Sequence, residues 1–563
     1  MGKAKANLAL GLDSSTQSLT AVVIDFEKGE TVYEHSLDYA ADERLRCFGI
    51  DQSEYLVPPR VPGEADQPPL MFLASLDAVF GDLRASGVPL AELAVVNVSG
   101  QQHGHVYLGS DAAEAFTALR DPRSAEGSLV DLLRKCFAYG TAPIWRTSNT
   151  EPQAEAIRTG VGGKGRMVEL SGSDSPLRFT GAVVRRVGEQ FPAAYEATET
   201  LQLISSFLPA VLTGSHRVPM DFGNASGTSL MDYVNRSWSD DLIAAAAAGL
   251  PGGAAAMHRK LPPLVKPNSI VGPVAGYFTR KYGIAPSCVV AAGSGDNPQT
   301  KVLISGDLLS LGTSFVFMVS TDGRVVDKEG YANAMYDGVG RPFMFGCRTN
   351  GAMVWDRVRS QHGLGKKEYD KAEAALGATP PGSSLFLWQP ENESFPVSPS
   401  FDMLRIDYAK PDLAKDYSGI IDSTLAAVYW YSRHFSRAAD PAGSRGVGAS
   451  NEDTGSKDST AGESPLYVTG GATGSAQIMR RVSALWRRPV VAIGRIGAAL
   501  GAAVAGVSAL RGAGGAPEKL DELIESLLPH SKPLLPSRDD EAAYHRDGGY
   551  LARFAAAYDQ YRR

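Results

Sequence analysis

One pattern occurs twice in this chain, and it limits the fold more than any other feature. Leu8 to Phe26 reads as an apolar strand, a glycine, a polar turn of Asp13, Ser14, Ser15 and Thr16, and a second strand from Leu19. Leu308 to Thr321 repeats the plan as LLSL, then Gly312, Thr313 and Ser314, then FVFMVS, about 300 residues later. Such an echo points to two related lobes, each burying its own copy in a sheet. A length of 563 residues agrees, being too long for one core and long enough for two domains.

Between the copies the pattern is α/β. Leu70, Leu73, Leu76, Val79, Phe80 and Leu83 fall at helical spacing and predict an amphipathic helix over 70–85. LAVVNVS at 93–99 reads as a strand running into the loop GQQHG, and a second helix around 201–212 stops at Gly214. PGG and LPPLVKPNS break periodicity over 250–268, which predicts lobes of 1–260 and 261–563. Strands resume near 288–292, 466–469 and 489–493. Residues 439–463 are small and polar without an apolar period, and read as a flexible surface insertion in the second lobe.

Charge narrows the ligands. The net charge of −7 supplies no general field for nucleic acid or a membrane, so an anionic ligand must be held by local devices such as backbone amides or a metal. Cys47, Cys136, Cys288 and Cys347 stand far apart without metal-ligand spacing, as reduced thiols of a cytosolic protein do. The N-terminus carries no signal-peptide pattern, and GAALGAAVAGVSAL from Gly497 is too short for a membrane span. A cytoplasmic protein is expected, with a homodimer as the assembly to test.

Four features carry chemistry. GLDSSTQS at 11–18 can aim backbone N–H and hydroxyl groups at a phosphate, with Asp13 toward an accompanying metal. SLGTS at 310–314 repeats the device with Gly312 and Thr313. YVTGGATGSAQIM at 467–479 is a strand, a glycine turn and a helix start, where Ser475 or Thr473 can cap the helix; its spacing is neither GxGxxG nor a P-loop. The fourth is a set of polar groups at apparent strand ends and helix starts: Gln101, Gln102 and His103 in GQQHG, Asp221 in VPMDFGNASGT, and Asp296 with Asn297 in AAGSGDNPQT. Taken singly, each reads equally well as an ordinary polar turn.

Together, GLDSSTQSLTAVVID, SGQQHG, MDFGNASGTSLMD, GSGDNP, SLGTS and TGGATGSAQIM resemble, in order, the FGGY carbohydrate kinases, from residue 8 to about 506. GQQHG, APIW at 142–145, RFTG at 178–181 and GDNP are most similar to the xylulose kinases within that family. The resemblance implies two ribonuclease-H-like lobes of the actin-like ATPase superfold, with ATP and sugar in the cleft between them. It implies ATP-dependent phosphorylation of D-xylulose at its terminal hydroxyl, with another ketose or polyol (ribulose, erythritol, glycerol) as the alternative and a non-catalytic nucleotide-binding regulator behind it. By the same resemblance Asp221 is the catalytic base, and Gln102, His103, Arg178, Asp296 and Asn297 lie at the sugar. Asp13 faces Mg²⁺, Ser15, Thr16, Gly312 and Thr313 lie near the phosphates, and Gly470, Gly471 and Ser475 near the adenosine. Thr147 stands where xylulose kinases usually carry an aspartate, which predicts weaker sugar discrimination.

Overall fold

The computed structural model describes residues 6–365, 367–435, 465–494, 496–512, 517–528 and 530–562. The expected insertion at 439–463 lies outside the described residues. The chain forms two compact units: Met1–Ser305 with Val326–Phe343 and Ile496–Leu528, and Gly306–Val325 with Met344–Arg495 and Pro529–Arg563. The expected boundary near 260 is therefore displaced to 305, because the segment between contributes strands to the first sheet.

In the first unit, strands β1 (Leu8–Ser14), β2 (Ser18–Asp25), β3 (Glu30–Asp38), β4 (Leu93–Gly100), β5 (Ile270–Pro273), β6 (Val289–Ala291) and β7 (Ser294–Gly295) make one sheet. Its order is β3–β2–β1–β4–β6–β5, with β7 also on β4; β1 runs antiparallel to β2 and parallel to β4, and β6 runs parallel to β4. β4 is buried along its whole length, as expected of a strand covered on both faces, while β3 exposes Glu30, Glu34 and His35 as an edge strand does.

Two helices show why the sheet is covered as it is. Pro69–Ala85 begins with proline in its first turn and buries Met71, Phe72, Leu76, Val79, Phe80 and Leu83, one residue from the expected start. The Ala498–Arg511 helix comes from far along the chain and lies on β1 and β4. Its small residues permit the approach: a Cβ on Gly11 of β1 would stand 1.9 Å from the Ala499 carbonyl oxygen. Asn97 Nδ2 donates to the Ala502 carbonyl at 2.9 Å, fixing this helix on β4. Among the described residues no helix is long and apolar enough to cross a membrane.

The expected helix at 201–212 divides. Thr200–Leu203 is a strand paired with His105–Leu108, and the helix starts at Ile204 and ends at Thr213, before Gly214 at φ 65°. Leu201, Ile204 and Leu208 fit one helical face, and long-range pairing overrides that local preference.

The second unit repeats the plan with β8 (Asp307–Leu311), β9 (Phe315–Ser320), β10 (Pro342–Arg348), β11 (Leu466–Thr469) and β12 (Val490–Ala492) in the order β10–β9–β8–β11–β12. β8 runs antiparallel to β9 and parallel to β11, which runs parallel to β12. That matches β3–β2–β1–β4–β6 strand for strand, so both units are ribonuclease-H-like and the sequence echo is a structural one.

Candidate active site

In the first unit the polar motif residues gather where parallel strands end. The register places Asp13 beside Ser99, and Ser99 beside Ser294. Ligands of open α/β sheets bind at this end of the strands. Ser99 Oγ donates to Asp13 Oδ1 at 2.7 Å, but burial outweighs that bond and pushes the Asp13 carboxyl up to about 6. β7 leads directly into the Asp296–Val302 helix. Burial, with the Asp13 charge adding to it, pushes Asp296 up to about 7. Its Oδ1 accepts from the Asn297 backbone at 2.8 Å and from Asn297 Nδ2 at 3.1 Å, and Nδ2 also donates to Gln102 Oε1 at 2.8 Å. A Cβ on Gly295 would meet Gln102 Cγ at 2.5 Å, so a glycine is needed for β7 and the β4 loop to lie together.

His103 adopts the left-handed conformation at φ 68°. Its ring stacks on Phe179 with centroids 4.4 Å apart, and Nδ1 donates to the Gly227 carbonyl at 2.7 Å. That bond fixes the tautomer and leaves the Nε2 lone pair as an acceptor. Burial, then the charge of Arg178, holds the imidazole down to about 3, so it is neutral at physiological pH. Arg178 itself is half-buried.

Asp221 has a different setting. It ends the Met220–Asp221 strand and caps the short Phe222–Ala225 helix. It is 0% exposed; Ser294 Oγ donates to Oδ2 at 2.8 Å, and the Asn224 N–H lies 3.2 Å from both carboxylate oxygens. Burial pushes it up to about 7. A Cβ on Gly223 would stand 2.6 Å from Oδ2 and 2.7 Å from the Tyr336 carbonyl, so no larger residue fits.

The turn hydroxyls are occupied within the unit. Ser15 Oγ accepts from the Ser18 N–H at 3.1 Å, closing the turn. Thr16 Oγ1 accepts from Trp145 Nε1 at 2.7 Å and donates to Gln101 Oε1 at 3.3 Å. Trp145, which the sequence reading did not assign to the site, thus stands at the turn with 44% of its surface open. Thr147 is 1% exposed and donates to the Ala65 carbonyl at 3.2 Å, so its hydroxyl is spent on backbone.

No group of three or more His, Cys, Asp or Glu with metal geometry occurs among the described residues. Asp13 still fits Mg²⁺, which usually takes one or two protein carboxylates and completes its shell with phosphate oxygens and water. A carboxylate raised by burial and supported by one neutral hydroxyl is the donor such an ion relieves.

The second unit holds a pocket of about 700 Å³ lined by Gly312, Thr313, Trp355, Tyr369, Gly471 and Ser475, among others. The Gly312 and Thr313 carbonyls accept from the Ala352 and Met353 N–H groups at 3.0 and 3.3 Å, seating the β8–β9 turn on the Ala352–Gln361 helix. Gly470 adopts φ 103°, and a Cβ there would meet the Leu311 carbonyl oxygen at 2.5 Å. Ser475 caps the Ala476–Trp486 helix through the Ile478 N–H at 3.0 Å and donates to Glu373, whose other oxygen accepts from the Gln477 N–H at 3.0 Å. Ser475 therefore lines the pocket with its hydroxyl already bonded.

Residues 139–302 match the model of the FGGY family of carbohydrate kinases, N-terminal domain. The probable D-xylulose kinase A of Aspergillus flavus is 29% identical over 357 residues, 62% of this chain and 60% of the relative. The xylulose kinase of Mus musculus is 29% identical over 397 residues, 68% and 67% of the two chains. The match to the first of these spans about 60% of its length. Solved structures similar in fold include the xylulose kinase from Rhodospirillum rubrum (TM-score 0.76, 15% identity, 98% of both chains) and the xyloylose kinase from Brucella ovis (TM-score 0.73, 19% identity, 98% of this chain and 99% of the other). With its motifs in family order on two ribonuclease-H-like units, the chain is similar over residues 139–302 to the N-terminal domain of the FGGY family of carbohydrate kinases, and in fold to solved xylulose kinases.

Proposed function

We propose that the chain transfers the γ-phosphoryl group of ATP to the terminal hydroxyl of D-xylulose, giving D-xylulose 5-phosphate and ADP. The observation that carries this reading is the convergence of His103, Gln102, Asp296, Asn297 and Asp13 at the ends of β1, β4 and β7. The names of the curated relatives support the choice of sugar.

Phosphoryl transfer to an alcohol requires a positioned acceptor, charge neutralisation and a destination for the hydroxyl proton. The neutral His103 presents Nε2 as an acceptor for one sugar hydroxyl, and the Gln102 and Asn297 amides offer both donors and acceptors to others. The exposed indole of Trp145, anchored on Thr16, gives an apolar face for the carbon side of the sugar. Asp13 would hold Mg²⁺, which when bound neutralises phosphate charge. In the second-unit pocket Gly312 and Thr313 suit the phosphates and Gly471 the adenosine, with Gly470 turning the chain just before it.

The base is better assigned to Asp296 than to Asp221. A general base must come within hydrogen-bond reach of the hydroxyl. Asp221 is sealed and donors already occupy both its oxygens, whereas Asp296 is half-buried beside Asn297 and Gln102. Asp221 then acts as a positioning residue, tying the Phe222–Ala225 helix to β7 through Ser294. A wider sugar range is the second reading, because the His103 ring and the Gln102 and Asn297 amides can bond the hydroxyls of many polyols. Sugar-stimulated ADP release across pentuloses and polyols tests both: no stimulation by any of them contradicts the kinase, and stimulation by glycerol alone contradicts the sugar.

A further inference from the structure

The second-unit pocket has an unusual rim. Trp355, Tyr417 and Ile478 are buried and give it an apolar, aromatic floor, while Gly471 and Gly474 give it a wall of bare backbone. Tyr369, the first residue of the Tyr369–Gly377 helix, also lines it and is 61% exposed. The Arg359 guanidinium lies over the Tyr369 ring, 4.4 Å from its centroid. Arg359 is itself buried, and its Nη2 donates to Asp356 Oδ1 at 2.6 Å, so the cation is held in place rather than free to follow the ring. A ring with a fixed cation on one face is anchored and retains the other face for a second flat partner.

An exposed tyrosine beside a glycine wall and an aromatic floor suits a heteroaromatic base, since base–aromatic stacking needs only a π-face. We infer that Tyr369, backed by Arg359, is the platform on which the nucleobase stacks, and that it makes the site prefer purine to pyrimidine triphosphates. This rests on the nucleotide reading of the same pocket given above. The larger purine covers more of the open ring, so the preference follows from area rather than from a hydrogen-bonding edge.

Calorimetric titration of the full chain with Mg-ATP, Mg-CTP and Mg-tripolyphosphate tests this in wild type, Tyr369→Ala and Tyr369→Phe. Wild type binds ATP more tightly than CTP. Tyr369→Ala weakens ATP by roughly 5- to 100-fold and narrows the gap to CTP, Tyr369→Phe retains most of the ATP affinity, and tripolyphosphate binds all three proteins alike. The inference is overturned if Tyr369→Ala binds ATP as wild type does, or if it loses ATP and tripolyphosphate equally. It is also overturned if the phenylalanine variant loses as much as the alanine one, or if wild type binds ATP and CTP equally. A wild type that binds no ATP at all removes the nucleotide reading itself, and this inference with it. ATP binding without any sugar turnover leaves the stacking intact and removes the kinase instead.

Discussion

Asp296→Asn and Asp221→Asn, made separately, divide the two carboxylates by role. At Asp296 asparagine keeps the shape but cannot take a proton, so turnover should fall by ~10²–10⁴-fold with ATP affinity nearly unchanged. At Asp221 the amide must point its NH₂ group at Ser294 or at the Asn224 N–H, which now bond the carboxylate at 2.8 and 3.2 Å. A buried donor left without an acceptor costs about 1–3 kcal/mol, so this variant should lose stability and only modest turnover. The pH dependence makes the test sharper. Burial raises the Asp221 carboxyl to about 7, so between pH ~4 and ~7 the folded state holds a proton that the unfolded chain releases. Wild-type stability from this group therefore falls as pH rises through that window, by at most about 4 kcal/mol, and asparagine removes the fall. The variant should accordingly be at its greatest disadvantage near pH 4 and recover toward pH 8, read by urea unfolding at each pH. A stably folded Asp221→Asn that loses turnover by ~10²-fold or more, beside a near-normal Asp296→Asn, would refute this assignment.

Three further outcomes are expected. His103→Ala should raise the sugar KM by ~5- to 150-fold with kcat less affected, and wild-type KM should show no His103 titration between pH 5.5 and 8, because the imidazole held down to about 3 stays neutral there; steady-state kinetics read both. Gly11→Ala would press a methyl group to 1.9 Å from the Ala499 carbonyl and should cost roughly 3 kcal/mol or more, measured by urea unfolding. Thr147→Asp should place a buried carboxyl against the Ala65 carbonyl, lowering the melting temperature as pH rises above ~4 without sharpening sugar preference; thermal scans and a sugar panel check the two parts.

The repeated strand–turn–strand was readable in the sequence because short apolar runs broken by a glycine and hydroxyl residues are local signals. Each copy became β1–β2 or β8–β9 in its own sheet. The unit boundary was not readable, since β5, β6 and β7 join the first sheet by pairing with partners far back in the chain. The same holds for Gly11, whose need for a glycine is set by a helix nearly 500 residues away. In the site, residue types at Asp13, His103, Asp296 and Asn297 were legible from their turns. Solvent access was not: Asp221 and Asp296 both stand among small residues in sequence, and only packing seals one and leaves the other half-buried. Thr147 likewise was expected to face a sugar and instead bonds backbone. Trp145 gave no local sign that its indole would meet the Thr16 turn.

The most direct measurement is ³¹P and ¹³C NMR of the product formed from D-xylulose and Mg-ATP by the full chain. D-xylulose has two terminal hydroxyls, so the position of the ester tests both the activity and the way the sugar is held. The account predicts a phosphate monoester on C5, formed with one ADP per sugar and lost in Asp296→Asn. An ester on C1, or ADP with inorganic phosphate and no sugar ester, would contradict it.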